Sequence, residues 1–123
     1  MKLKHLIIFE NFNTGCTKNF KVVNIKYTSD RTRILSISFK NGSIEFEDDE
    51  LGVQSLSIVN YELKIGDMIS FCYKTKEMVE GNDLDSVNLL HNISKVRVNY
   101  KEYKCSISTE DNLATRGVLT YKN

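Results

Sequence analysis

The stretch Arg33–Glu47, RILSISFKNGSIEFE, decides the fold class. Leu35, Ile37 and Phe39 alternate with Ser36, Ser38 and Lys40; beyond Asn41-Gly42, Ile44 and Phe46 alternate with Ser43, Glu45 and Glu47. A period of two is the pattern of a strand with one buried face. Asn-Gly between two such runs is the strongest short hairpin signal, because a type I′ turn needs positive φ at both central residues. With Asn41-Gly42 as the loop, Lys40 pairs with Ser43, Phe39 faces Ile44, and Ile37 faces Phe46. The four apolar side chains then share one face, whereas a slip of one residue would turn Glu45 and Glu47 inward.

Outward from this hairpin the same period recurs. Phe20–Thr28 reads as a strand with Val23, Ile25 and Tyr27 on one face, and the short link Ser29-Asp30-Arg31 makes a three-strand meander with the hairpin. Val53–Asn60 and Met68–Lys76 read as two further strands. Between them, Gly66-Asp67 is a turn flanked by Leu63 and Ile65, which could plug a barrel end. Glu77–Asp85 reads as a polar loop, and Asp83–His91 as at most one helical turn. Ile93–Tyr100 is a strand with Val96, Val98 and Tyr100 in phase. Leu3–Phe9 reads as an N-terminal edge strand, and Tyr103–Ser108 with Gly117–Lys122 as a C-terminal hairpin. No long amphipathic helix is visible, which predicts an all-β chain.

The 123 residues suit one domain, 1–123, able to close a core of its own. The longest apolar run near the start, Leu6–Phe9, is too short for a membrane span or a signal core, so the expected location is intracellular and cytoplasmic. Three cysteines, Cys16, Cys72 and Cys105, without short spacing argue against a disulfide framework and for buried thiols in a reducing compartment. The net charge of +1 gives no global field, but it is unevenly spread. Residues 1–40 carry +6, residues 41–50 carry −5, and the last 29 residues carry +3.

The order of elements resembles an OB-fold. The resemblance rests on the meander Phe20–Glu47, the segment LKIGDMISF at Leu63–Phe71 and the strand HNISKVRV at His91–Val98, and covers about residues 19–100. It implies a small, partly open OB-like barrel of five to seven strands, with ligands held on the outer face of strands two and three. Asp48–Asn60 looks extended where OB domains often carry a helix, so an SH3-like barrel and a small sandwich remain alternatives.

Residues that could carry chemistry are few. His5, Cys16, Cys72, His91 and Cys105 have no zinc-ligand spacing, and Glu45–Glu50 lacks the spacing of a calcium loop, so no metal and no cofactor are expected. No nucleophile elbow or Gly-rich phosphate loop is present, so the chain is not expected to be an enzyme. The most specific remaining reading is single-stranded nucleic-acid contact, which combines basic residues with aromatic platforms. The basic candidates are Lys21, Lys26, Arg31, Arg33, Lys95 and Arg97; the stacking candidates are Tyr27, Tyr73, Tyr100 and Tyr103. The ordinary reading of Tyr27, Tyr73 and Tyr100 is core, because they fall in phase with the apolar face. The outer face of the hairpin shows Ser36, Ser38, Ser43, Glu45 and Glu47, whose glutamates would repel phosphate, so the basic site is expected elsewhere. The expectation is thus a binding module touching single strands or serving as an accessory subunit of a nucleic-acid-processing complex. The alternative is a protein-only module or inhibitor docking through Glu45, Glu47, Asp48, Asp49 and Glu50.

Overall fold

The computed structural model describes residues 9–11, 15–46, 48–49, 52–53, 55–78, 86–106 and 115–122. The described strands are β1 (Phe9–Asn11), β2 (Cys16–Thr17), β3 (Phe20–Tyr27), β4 (Ile34–Phe39), β5 (Gly42–Phe46), β6 (Asp48–Asp49), β7 (Gly52–Val53), β8 (Ser57–Ile58), β9 (Met68–Met78), β10 (Ser86–Val98), β11 (Lys101–Ser106) and β12 (Thr115–Lys122). The chain is all-β, as expected, and every described pairing is antiparallel. Among the described residues no helix is long and apolar enough to cross a membrane.

Ten of these strands form one sheet in the order β1-β2-β9-β3-β4-β5-β12-β10-β11-β8, while β6 and β7 pair separately. A further pairing of β9 with β10 makes a ring: β3-β4-β5-β12-β10-β9 and back to β3. The β3–β9 seam is short, with Phe20 opposite Ile69 and Lys21 opposite Met68. Two backbone bonds of 2.8 Å extend it, from Val22 N to Asp67 O and from Gly66 N to Val22 O. The result is a partly open barrel filled by Leu56, which precedes β8, and by inward side chains of its strands, among them Val22, Ile37, Ile44, Ile69, Phe71, Ile93, Val96, Val98 and Leu119, all 0–1% exposed.

The meander forms as expected, with one revision of register. Phe39 pairs with Gly42 and Ile37 with Ile44, so the two-residue loop is Lys40-Asn41. Neither loop residue has positive φ. Gly42 is required for another reason: a Cβ there would lie 2.0 Å from the backbone oxygen of Thr120, because β12 passes directly against β5. A slip of two residues preserves the face, so Ile37, Phe39, Ile44 and Phe46 are all buried as expected. The two-residue turn with positive φ at both positions is Asn99-Tyr100, at 50° and 70°, which joins β10 to β11 without a glycine.

Two irregularities rephase β3 and β4. The register shift between Val22 and Asn24 leaves Val23 47% exposed and turns Ile25 and Tyr27 onto the core. The shift between Lys26 and Tyr27 brings Ile34 inward and leaves Leu35 half-buried. A single extra residue changes which side chains face in.

Other expectations are corrected. The last two strands do not pair with each other: β11 joins β10 and β8, while β12 lies between β5 and β10. Ser86–His91 is part of β10, not a helical turn, since it has strand partners on both sides. Of the expected edge strand Leu3–Phe9 only Phe9 is described, at the start of β1; residues 3–8 lie outside the described residues, as does the 79–85 part of the polar loop, whose Glu77 and Met78 belong to β9. Leu63 is buried but Ile65 is 67% exposed, so only one of the pair plugs the barrel end. Tyr100 is 78% exposed at its turn, not core.

Cys16 and Cys72 form a disulfide between β2 and β9, with Cα atoms 4.1 Å apart, which overturns the expectation of free thiols. An odd count excludes a fully paired framework but not one bond, and a sequence separation of 56 hides the partner. The same strand pair is bound by Thr17, whose hydroxyl accepts from Phe71 N at 3.0 Å, and by the Ser70 hydroxyl, which donates to Thr17 O. These contacts explain why Ser70, on the outer face of β9, is 1% exposed. Cys105 stays free and half-buried, with burial pushing its thiol up to about 12.

Candidate nucleic-acid interface

The segment after β7 crosses one end of the barrel. Leu56 and Ile34 exchange backbone hydrogen bonds of 2.8 Å each, and β8 then pairs with β11. This crossing brings three tyrosines together. Tyr27, at the end of β3, donates to Leu63 O at 3.4 Å. Tyr61 lies with its ring centroid 4.8 Å from that of Tyr103 on β11. Each ring carries a cation: Arg31 over Tyr27 at 4.7 Å, Lys64 over Tyr61 at 4.6 Å and Lys101 over Tyr103 at 5.7 Å. Contacts of this kind hold a cation over the electron-rich ring face.

Local chemistry fixes two of these cations. Asp30 accepts from Thr28 Oγ1 at 2.6 Å, Thr32 Oγ1 at 2.8 Å and Thr32 N at 3.1 Å, bonds that hold its carboxyl down to about 2. The turn so formed places Arg31 at φ 60°, a left-handed conformation uncommon for arginine. Lys64 sits three residues after Tyr61 and donates to its hydroxyl at 3.3 Å. Tyr61 donates in turn to Asp67 at 2.7 Å, a bond that raises the tyrosine pKa.

Between the Thr28–Arg33 turn and the crossing segment lies a cavity of about 220 Å³. Ile34, Leu56, Ile58 and Leu63 form its apolar floor, and Tyr27, Arg31, Thr32, Ser57, Tyr61 and Glu62 its rim.

The six basic residues singled out from sequence do not gather in one place. Arg31 belongs to the tyrosine cluster. Arg33 is committed to the framework, donating from Nε to Ser55 Oγ at 2.6 Å and from Nη2 to Ser55 O at 3.1 Å. Lys21 and Lys26 are exposed along β3. Lys95 forms an ion pair with Glu102, which lies opposite Arg97 in the β10–β11 ladder. Arg97 reaches Cys16 Sγ at 3.5 Å. Lys64, Lys101 and Tyr61 were missed. Their signals were present, a cation three residues after a tyrosine in a turn and Lys101 two before Tyr103 on one strand face, but neither is distinctive without the crossing segment.

Of the acidic set, Glu45 is exposed on β5, and Asp48-Asp49 pairs with Gly52-Val53. Glu47 and Glu50 lie outside the described residues. No group of three metal-ligating side chains occurs among the described residues. No protein-family model matches the chain, nor does any curated protein or solved structure at a significant level.

Proposed function

We propose that the chain is a non-catalytic binding module that contacts single-stranded nucleic acid at the tyrosine-bearing end of its barrel. The observation that carries this reading is the set of three tyrosines, each under its own Arg or Lys, beside an open cavity. Single strands are held by such sets, with cations meeting the phosphates and aromatic faces the bases. The site also suits an OB-like barrel. The ring order matches a five-strand arrangement with β12 inserted between its third and fifth members, and the Thr28–Arg33 turn is the loop between the first two strands, a usual contributor to OB ligand sites. The exposed Glu45 remains a point for a protein partner of an accessory subunit. The intracellular location expected from the sequence has the disulfide against it, since such bonds persist in oxidising compartments.

Fluorescence anisotropy of labelled single-stranded DNA and RNA at two salt concentrations tests the reading. Binding at micromolar protein that weakens steeply with salt is expected. No binding at low salt would overturn it.

A further inference from the structure

Resting on that reading, we infer that the cavity beside Tyr27 and Tyr61 seats one unstacked nucleobase and favours guanine or cytosine over thymine or uracil. At about 220 Å³ it falls below the ~300 Å³ at which pockets for drug-sized ligands begin. A space of that size suits a single ring system better than a whole nucleotide. Its lining mixes apolar groups of Ile34, Ile58 and Leu63 with polar groups of Tyr27, Thr32, Ser57 and Tyr61, which suits a flat ring with a polar edge.

The rim sets the polarity of the edge that would fit. Arg31 supplies only donors, and the exposed Glu62 supplies carboxylate acceptors. Guanine carries the complement of both, with O6 and N7 accepting from an arginine and N1–H and N2–H donating to a carboxylate. Thymine and uracil offer no exocyclic amine to Glu62. Cytosine carries the same complement on its unpaired edge, with N4–H donating to the carboxylate and the adjacent N3 and O2 accepting from the arginine fork. The cations over Tyr61 and Tyr103 would meet the flanking phosphates while the base is held.

The test compares an oligothymidylate of about fifteen nucleotides, near the upper site size of one barrel, with the same strand carrying one central guanosine. The guanosine strand is expected to bind roughly tenfold more tightly, within the range of one good bidentate base contact. Glu62→Ala is expected to bring the two strands within twofold of each other. Circular dichroism checks that the variant folds. Equal binding of the two strands by the wild-type chain would overturn the base seat and leave the nucleic-acid reading standing. Failure of both strands to bind at low salt would overturn both. A guanosine preference that survives in Glu62→Ala would remove the role assigned to the rim carboxylate.

Discussion

Asn99 Nδ2 donates to Asp67 Oδ1 at 3.1 Å across 32 residues of sequence, and this bond ties the turn that opens β9 to the turn that ends β10. The tie is reciprocal, because Asn99 Oδ1 accepts from Met68 N at 3.0 Å and Asn99 N donates to Met68 O at 2.8 Å. The other Asp67 oxygen accepts from Tyr61 Oη at 2.7 Å and Lys64 N at 2.9 Å. One carboxylate therefore organises two turns and a ring of the candidate site.

Asp67→Ala should cost roughly 2–3 kcal/mol, because it strips charged-acceptor bonds from donors around a carboxylate only 8% exposed. Urea unfolding at neutral pH measures this. Binding should weaken as well, since Tyr61 loses its anchor.

The same residue gives a pH dependence. Burial pushes the Asp67 carboxyl up, but the bonds from Tyr61, the Lys64 amide and Asn99 outweigh it and leave the pKa below the ordinary value. A carboxyl depressed on folding contributes fully above its unfolded pKa of about 3.9 and loses that contribution as pH falls through the folded value. The stability gap between wild type and Asp67→Ala should therefore shrink on acidification. A gap that widens toward low pH would contradict the assignment.

The disulfide should be visible as an intact mass lower by two hydrogens under non-reducing conditions. With a sequence separation of 56, chain-entropy accounting assigns it about 4 kcal/mol, which a dithiol reductant or Cys72→Ser should remove in large part. Reduction should not lower the stability of Cys72→Ser further.

Gly42→Ala and Gly117→Ala separate two kinds of close approach. The first Cβ would meet backbone at 2.0 Å, the second the end of the Ile44 side chain at 2.9 Å. Overpacking of this kind costs about 1–3 kcal/mol or more. Gly42→Ala should lie at or beyond the upper end and Gly117→Ala near the lower, because a methyl group can shift where a strand cannot. Thermal unfolding of the pair checks the order.

Arg31→Gly and Arg33→Ala should part function from stability. Glycine relieves the positive φ at residue 31, so the first variant should fold at least as well as wild type while binding oligonucleotide more weakly, with a salt slope lower by about 1. Arg33→Ala should lose about 1–2 kcal/mol through its bonds to Ser55, with little effect on binding once folded. Equal losses of binding in the two variants would argue against the division.

The all-β class, the buried face of β5 and the buried pairs Ile37/Phe39, Ile69/Phe71 and Val96/Val98 were legible in the sequence, because burial on one face imposes a period of two. The loop in Lys40-Asn41-Gly42 was misplaced, since Gly42 answers to a strand more than seventy residues away. The phase of β3 was hidden by the bulge at Val23, a choice of backbone geometry that no side-chain pattern announces. The candidate site was legible in one residue of its cation set, Arg31, and in two of its rings, Tyr27 and Tyr103. Tyr61, Lys64 and Lys101 join them only because the chain crosses the barrel end.

β12 is the last of the described strands to leave the ribosome, yet it stands in the middle of the ring, between β5 and β10. Until it arrives, the nascent chain carries two unsatisfied edges and a core without Leu119. Barrel closure must then wait for β12, as a single insertion between edges already waiting. The same arrangement makes β12 a natural donor strand: a chain ending before Thr115 would present a slot shaped for it. A peptide spanning Thr115–Lys122 supplied in trans could fill that slot and turn an intramolecular step into a measurable association.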